Sequence, residues 1–259
     1  MITSRVCAMI LMLVVLVQGC ATPPPPYEPF KTDRQELFAK VKTIALAPVR
    51  MPGEIEDREP VRKKFESYIE TKLRQGGFTV IPSSEYQTLW KQATEQMGGV
   101  FDPLTGAPDE AKAKAVATHT LRELQRTTNA DAVLYSAVRP VLAKFTGGMA
   151  HWDEASEPVN APIDNTLARL LLSGNTASGT VAALSLVTFL DDMNNVTMYA
   201  NAGGIQLTAR LAGNSFVPVP RKDLFSTDEQ YYKPVRFALD PLLKGQLPSP
   251  AGQVKTKAQ

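Results

Sequence analysis

The chain has 259 residues, 44% hydrophobic and 21% charged, with 28 Lys and Arg against 26 Asp and Glu and a formal net charge of +2. That length and balance suit one globular domain with short extensions. The near-neutral charge offers no basic stripe for a row of phosphates, which argues against a nucleic-acid partner.

At the start, Met1-Ile-Thr-Ser-Arg5 places one positive charge ahead of Val6 to Val17, which is almost wholly apolar. Crossing ~30 Å of hydrocarbon takes about 20 apolar residues. The run is too short to span and reads as a secretory signal peptide over residues 1–19. It leaves through Val17-Gln18-Gly19-Cys20, which resembles a lipobox with Gln18 in place of the usual small residue. The resemblance makes Cys20 the lipidation site. Cys7 is the only other cysteine and departs with the signal, so no disulfide is expected in the mature chain. Two or three acyl chains at ~0.8 kcal/mol per buried CH₂ would hold the protein to a membrane. Ala21 follows, where the lipobox sorting rule reads Asp as inner-membrane retention, so outer membrane, periplasmic face, is the expected location. Residues 20–33 then form a Pro-rich linker, with Thr22-Pro23-Pro24-Pro25-Pro26 suited to a stiff polyproline II tether.

Residues 34–247 carry the periodic patterns of a domain. Thr43 to Val49 is a short β-rich apolar run suited to a buried strand. From Pro60, the stripe Val61, Phe65, Tyr68, Ile69 and Leu73 predicts a helix ending at Gly76-Gly77. Phe78 to Pro82 is the second strand. Ser84 and Gln87 have capping-box spacing ahead of a helix whose buried stripe is Tyr86, Leu89, Trp90, Ala93 and Met97. Asp102-Pro-Leu-Thr-Gly106 is turn chemistry. Asp109 to Thr128 is a third helix and Ala132 to Val138 the third strand, so helical crossovers imply partly parallel pairing.

Past Pro140 the expected character is antiparallel. Val141 to Phe145 and Met149 to Trp152 read as a hairpin or bent strand around Gly147-Gly148, and Val181 to Phe189 as a longer strand. Val196 to Ala200 and Ile205 to Leu211 follow, with Gly203-Gly204 as a bulge or kink between them. Between these, Leu167 to Leu172 suits a short helix and Ser173 to Gly179 a mobile link. Thr227 and Gln230 repeat the capping-box spacing before a terminal helix with Tyr231, Val235, Ala238 and Leu242 on one face. Residues 248–259 are expected to be a disordered tail. The fold class expected is α/β (α+β), a single mixed sheet covered by helices.

The order of elements resembles the periplasmic fold shared by the TolB amino-terminal domain, the CsgG curli-secretion lipoprotein and the activator LpoB. The residues that carry it are Lys42-Thr-Ile-Ala-Leu-Ala-Pro-Val49, Gly-Gly-Phe78-Thr-Val80-Ile81-Pro82 and Asn129-Ala-Asp-Ala-Val-Leu134. Gly98 to Gly106, Gly147 to Asp153 and Gly203-Gly-Ile-Gln206 also look like segments of an uncharacterised proteobacterial lipoprotein family. Those resemblances imply an envelope adaptor binding another protein, or a secretion pore, for which Val181 to Leu211 would be the membrane hairpin.

Chemistry is sparse. His119 sits in a helix beside Thr118 and Thr120, as a solvated or core-edge histidine would. His151-Trp152-Asp153 is the one candidate binding surface: on a strand, His151 and Asp153 would share a face as a pair of metal ligands, but no third ligand has recognisable spacing. Trp152 suits an exposed binding aromatic and a hairpin lock equally. No Gly-x-Ser-x-Gly elbow, His-Glu-x-x-His helix or phosphate loop occurs. The expectation is a non-catalytic, lipid-anchored envelope adaptor or scaffold without cofactor or metal, with an envelope protein partner and room for a homo-oligomer. An envelope-acting hydrolase and a CsgG-like secretion component are the alternatives.

Overall fold

The computed structural model describes residues 27–53, 55, 57–160, 178–213 and 215–244. The signal peptide, Cys20, the proline run to Pro26, Leu167 to Leu172, residues 173–177 and the tail lie outside them.

Helix α1 (Arg34–Lys40) starts at Asp33, whose carboxylate accepts from the Glu36 amide at 2.9 Å. Strand β1 (Thr43–Leu46), helix α2 (Arg58–Gln75) and strand β2 (Thr79–Ile81) form a parallel crossover unit. Helices α3 (Ser83–Gln96) and α4 (Glu110–Thr128) lead to strand β3 (Ala132–Thr146), which is also parallel to β1. Hairpin β4 (Met149–Trp152) and β5 (Ala155–Pro158) follows, then β6 (Ser178–Asp192) and β7 (Thr197–Leu207). A small hairpin, β8 (Ala209–Ala212) and β9 (Ser215–Pro218), precedes helix α5 (Glu229–Lys244).

In space the strands run β2-β1-β3-β6-β7, with β6 antiparallel to β3 along its whole length and β7 antiparallel to β6. The β4–β5 hairpin adds to the far end of β3, and a bridge from Asn160 to Leu211 draws its end toward β8. This is the mixed α+β class expected, with the sheet curled but short of a barrel.

Four local readings differ from the structure. Strand β3 does not stop at Val138 but runs through Pro140 to Thr146. At Pro140 the edge facing β1 has no strand partner, because β1 has ended and β4 starts only at Lys144, so the missing N–H forfeits no ladder bond. Strand β7 likewise runs through Gly203-Gly204 as one strand rather than two, and the expected bulge is present within it: Ser185 stands opposite Gly204 and Leu184 opposite Gln206, with Ile205 skipped. The Ser84 capping box does not form: α3 begins one residue earlier, and Ser83 instead donates from Oγ to Glu66 at 2.6 Å. Finally β4 ends at Trp152, so Asp153 leaves the strand in a left-handed turn with φ 41°.

One face of the sheet is covered by α2 and α5. Phe65, Ile69 and Leu73 of α2 and Tyr231, Val235, Leu239 and Leu242 of α5 pack on Leu134, Leu186, Leu190 and Tyr199 of the strands. Burying each such side chain is worth about 1.5–3 kcal/mol, so this layer holds the fold together. Helix α5 contains Pro234 and Pro241. Pro241 lacks the N–H that the Phe237 carbonyl would otherwise receive four residues back. Asn201 Nδ2 supplies that donor from β7 at 3.0 Å, and Tyr199 donates its hydroxyl to the Ala238 carbonyl at 2.6 Å. Gly203 lets the strand meet the helix backbone, since a Cβ there would stand 2.1 Å from the Pro234 oxygen.

The opposite face is covered by α3 and α4 over β1, β2 and the start of β3 only, where Ala45, Ala47 and Val133 pack on Tyr86, Leu121 and Leu124. The Asn129-Ala-Asp131 segment has a plain structural use. Asn129 closes α4 in the left-handed region at φ 54°, and Asp131 accepts the Lys42 and Thr43 amides at 2.8 Å, pinning the start of β1. A third cluster of Ala143, Phe145, Trp152, Val181 and Leu207 fills the curl under the β4–β5 hairpin. The segment Tyr27 to Lys31 runs along the outer edge of β7, with the Ala200 amide donating to Pro29 O at 2.9 Å and Lys31 N donating to Met198 O at 2.8 Å.

Candidate binding cleft

Between the α3–α4 layer and the β4–β5 turn, none of the described residues covers the second face of β3 and β6. Crossovers leave β1 toward α2 on one face and reach β3 from α4 on the other, and such a reversal opens a crevice beyond the carboxyl end of the strands. The crevice here is a cleft of two adjoining cavities of about 540 and 330 Å³, both lined by Pro48, Arg50, Tyr86, Trp90 and Tyr135. Arg139, Phe189, Asp191 and Asn195 line the second.

Each lining residue is set by backbone pairing. Arg50 follows β1 and stays locked to β3, donating its amide to Ser136 O at 2.9 Å and accepting from the Val138 amide at 2.8 Å. Its bridge partner is Ala137, so Arg50, Tyr135, Ala137 and Arg139 share one face, with Arg139 about 7 Å further along the strand. Tyr135 stands opposite Phe189 of β6. From α3, Tyr86 meets Tyr135 edge to face, at 6.1 Å and 89°, and lies nearly parallel to Trp90, at 6.1 Å and 14°. The Glu66 carboxylate holds this corner together by accepting from Val49 N at 3.0 Å and from Ser83 Oγ.

The electrostatics are those of a binding surface. Arg50 and Arg139 are exposed, and neither guanidinium has a carboxylate partner among the described residues. Burial pushes the Tyr135 phenol well above its ordinary value, helped by neighbouring Tyr86, and burial raises Tyr86 likewise, with Arg50 pulling weakly the other way on both. Burial also raises the Asp191 carboxyl above the usual aspartate range against a hydrogen bond from Thr197, and its Oδ1 is buried without a partner. The cleft therefore offers two free cations, an aromatic wall and neutral phenols, with the orphaned Asp191 oxygen buried beneath it. Such a set could bind and orient a ligand, and its lining residues include no histidine or thiol.

The residues singled out in the sequence are distributed elsewhere. His151 is exposed on β4, opposite Lys144 and Ser156. Trp152 is 8% exposed and donates from its indole to Leu184 O at 3.1 Å, which makes it the lock of the hairpin. Asp153 accepts from Ser185 Oγ at 2.5 Å and takes the Gly204 amide on its carbonyl. The three do not form one surface, and Asp153, off the strand, does not share a face with His151. His119 on α4 lies against Gln96 Oε1 at 3.1 Å. Among the described residues no three His, Cys, Asp or Glu are gathered to hold a metal ion. Cys20 lies outside the described residues. Sequence reading missed Arg50, Tyr135 and Arg139, although a charge in mid-strand before Pro140 is the kind of signal that marks an uncovered stretch.

No family model matches the chain, and no curated protein matches it. Among solved structures it is similar to lipoprotein GNA1162 from Neisseria meningitidis, at 17% identity and a TM-score of 0.31, covering 64% of this chain and 82% of that one. It is also similar to a dodecamer of a single-residue variant of PelC from Paraburkholderia phytofirmans, at 13% identity and TM-score 0.35, covering 84% and 94%. A second PelC dodecamer structure from that organism gives 12% identity, TM-score 0.35 and coverage of 79% and 89%. At these TM-scores the likenesses carry no inference about activity or assembly.

Proposed function

We propose that the chain is a lipid-anchored lipoprotein of the bacterial outer membrane whose periplasmic domain works as a non-catalytic adaptor for an envelope protein. The observation that carries the reading is the cleft at the carboxyl end of β1, where two unpaired guanidiniums face an aromatic wall. Free arginines and half-buried aromatics are the groups that dominate binding energy at protein interfaces. The apolar run before Cys20, the lipobox resemblance and the proline tether support the anchor, and Ala21 supports the outer membrane. The element order, read with the Asn129-Ala-Asp131 pin, supports kinship of fold with the TolB amino-terminal, CsgG and LpoB domains.

Two experiments test this. Cys20→Ala should abolish fatty-acid labelling and leave unprocessed precursor; labelling that survives removes the anchor. A photo-crosslinking amino acid in place of Lys91, on the cleft rim, should yield a discrete envelope-protein adduct in cells that is lost when Arg50 and Arg139 are changed to Ala. Adducts confined to copies of this chain in a large ring would replace the adaptor with a secretion component.

A further inference from the structure

The arginines of the cleft stand beside an unfinished strand edge. Along the side of β3 that faces β1, the last bond is Val138 N to Arg50 O, and pairing resumes only at Lys144 with His151 of β4. Between them the carbonyls of Val138, Pro140 and Leu142 and the amide of Leu142 point to that side and meet no strand among the described residues. Arg139 lies on the cleft face within this same stretch, and Arg50 marks its near end. Backbone acceptors spaced about 7 Å apart are what an extended peptide matches with every second N–H.

We propose that the cleft and the adjoining β3 edge bind an extended acidic peptide segment of the partner, its carboxylates on Arg50 and Arg139 and one apolar side chain against Tyr86 and Trp90. This rests on the reading of the cleft as the adaptor's working surface. Charge complementarity selects acidic side chains, since both guanidiniums are exposed and unpaired and a planar fork takes a carboxylate bidentately. The aromatic wall, against Tyr135 beyond Arg50, selects an apolar side chain next to them. The open edge selects a peptide over an acidic glycan, which could meet the guanidiniums but has no backbone N–H repeat for the β3 carbonyls.

The test is fluorescence anisotropy with the full-length protein in detergent and a labelled peptide of about ten residues repeating Asp-Ser-Asp-Ser-Phe-Ser, so that Asp and Phe share one face of the extended chain. The acidic peptide should bind, added salt should weaken it, and Arg50→Ala with Arg139→Ala should lower affinity roughly tenfold or more. The same peptide methylated on alternate backbone nitrogens should bind as poorly. Both arginines are exposed and unpaired, so the double variant should melt like the wild type. A Lys-for-Asp peptide binding equally, a double variant of unchanged affinity, or an unaffected methylated peptide would overturn the proposal. So would trigalacturonate binding more tightly than the peptide through the same arginines, which would assign the cleft to acidic glycans. If peptide binding fails while crosslinks from position 91 persist, this assignment falls and the adaptor reading stands; if the crosslinks are lost too, both fall.

Discussion

The two faces of the central sheet are built for different ends. Under α2 and α5 the strands are roofed as far as Val138 and Leu184: Tyr199, Leu186 and Leu190 are fully buried, and the Phe237 carbonyl freed by Pro241 finds a donor in Asn201 of β7, whereas Leu142 further along β3 is 70% exposed. Under α3 and α4 the roof ends after the first residues of β3, leaving Tyr135, Arg139 and Phe189 to line a cleft. On the proposed reading of the cleft, stability and recognition fall on opposite sides of the same strands. A change on one side should alter melting and a change on the other should alter binding.

That division can be broken in order of expected effect. Gly203→Ala and Leu239→Ala should be the most damaging: the Pro234 carbonyl that a Cβ at position 203 would strike belongs to helix backbone and cannot swing away, and a loss of about 3 kcal/mol is expected by denaturant titration. Leu239→Ala, fully buried on α5, should cost about 2–5 kcal/mol by the same measurement. If either change left stability intact, the α5 face would not be the fold's foundation.

On the cleft side the effects shrink. The Asp191 carboxyl is raised in the folded protein, so its neutral form is the favoured one: its contribution is fully present below the ordinary value of 3.8 and is lost as pH rises through the raised folded value. Asp191→Asn should therefore melt slightly higher than wild type at neutral pH and match it in acid. Equal melting curves at both would show the carboxyl to be solvated. Arg50→Ala and Arg139→Ala should be smallest, within about 0.5 kcal/mol of wild type. A larger loss from either would mean that the cleft face supports the fold after all.

Much of the roofed face was legible in sequence. The stripes Phe65, Ile69, Leu73 and Tyr231, Val235, Ala238, Leu242 are buried where the helical period puts them. Thr227 and Gln230 make half of the expected box, with Gln230 Oε1 accepting from Thr227 N at 2.9 Å. The cleft was not legible, for a physical reason. Periodicity reports which side of an element faces inward, not whether the neighbouring layer reaches far enough to cover it. Trp90 lies on the inward stripe of α3 with Tyr86 and Ala93, yet the helix overhangs open space there and its indole lines a cavity. Arg50 and Ala137 become neighbours only through strand pairing across a long stretch of chain, which no local pattern encodes. The two glycines at 203 and 204 were visible as the place of a bulge, which the register shift from Gly204 to Gln206 bears out, but their close approach to α5 and to Trp152 was not visible.

Pro140 has a consequence for how copies of this chain treat one another. An uncovered strand edge is an invitation to join like with like, and chains held on one membrane by the proposed anchor would meet often. When the same stretch of β3 from two molecules lies antiparallel about its middle, Pro140 faces Pro140, and neither can offer the N–H that such a pair must exchange. A foreign strand with an amide at that position still donates to the Pro140 carbonyl and forfeits only one bond. One imino acid thus tilts the edge away from self-polymerisation while leaving it open to others.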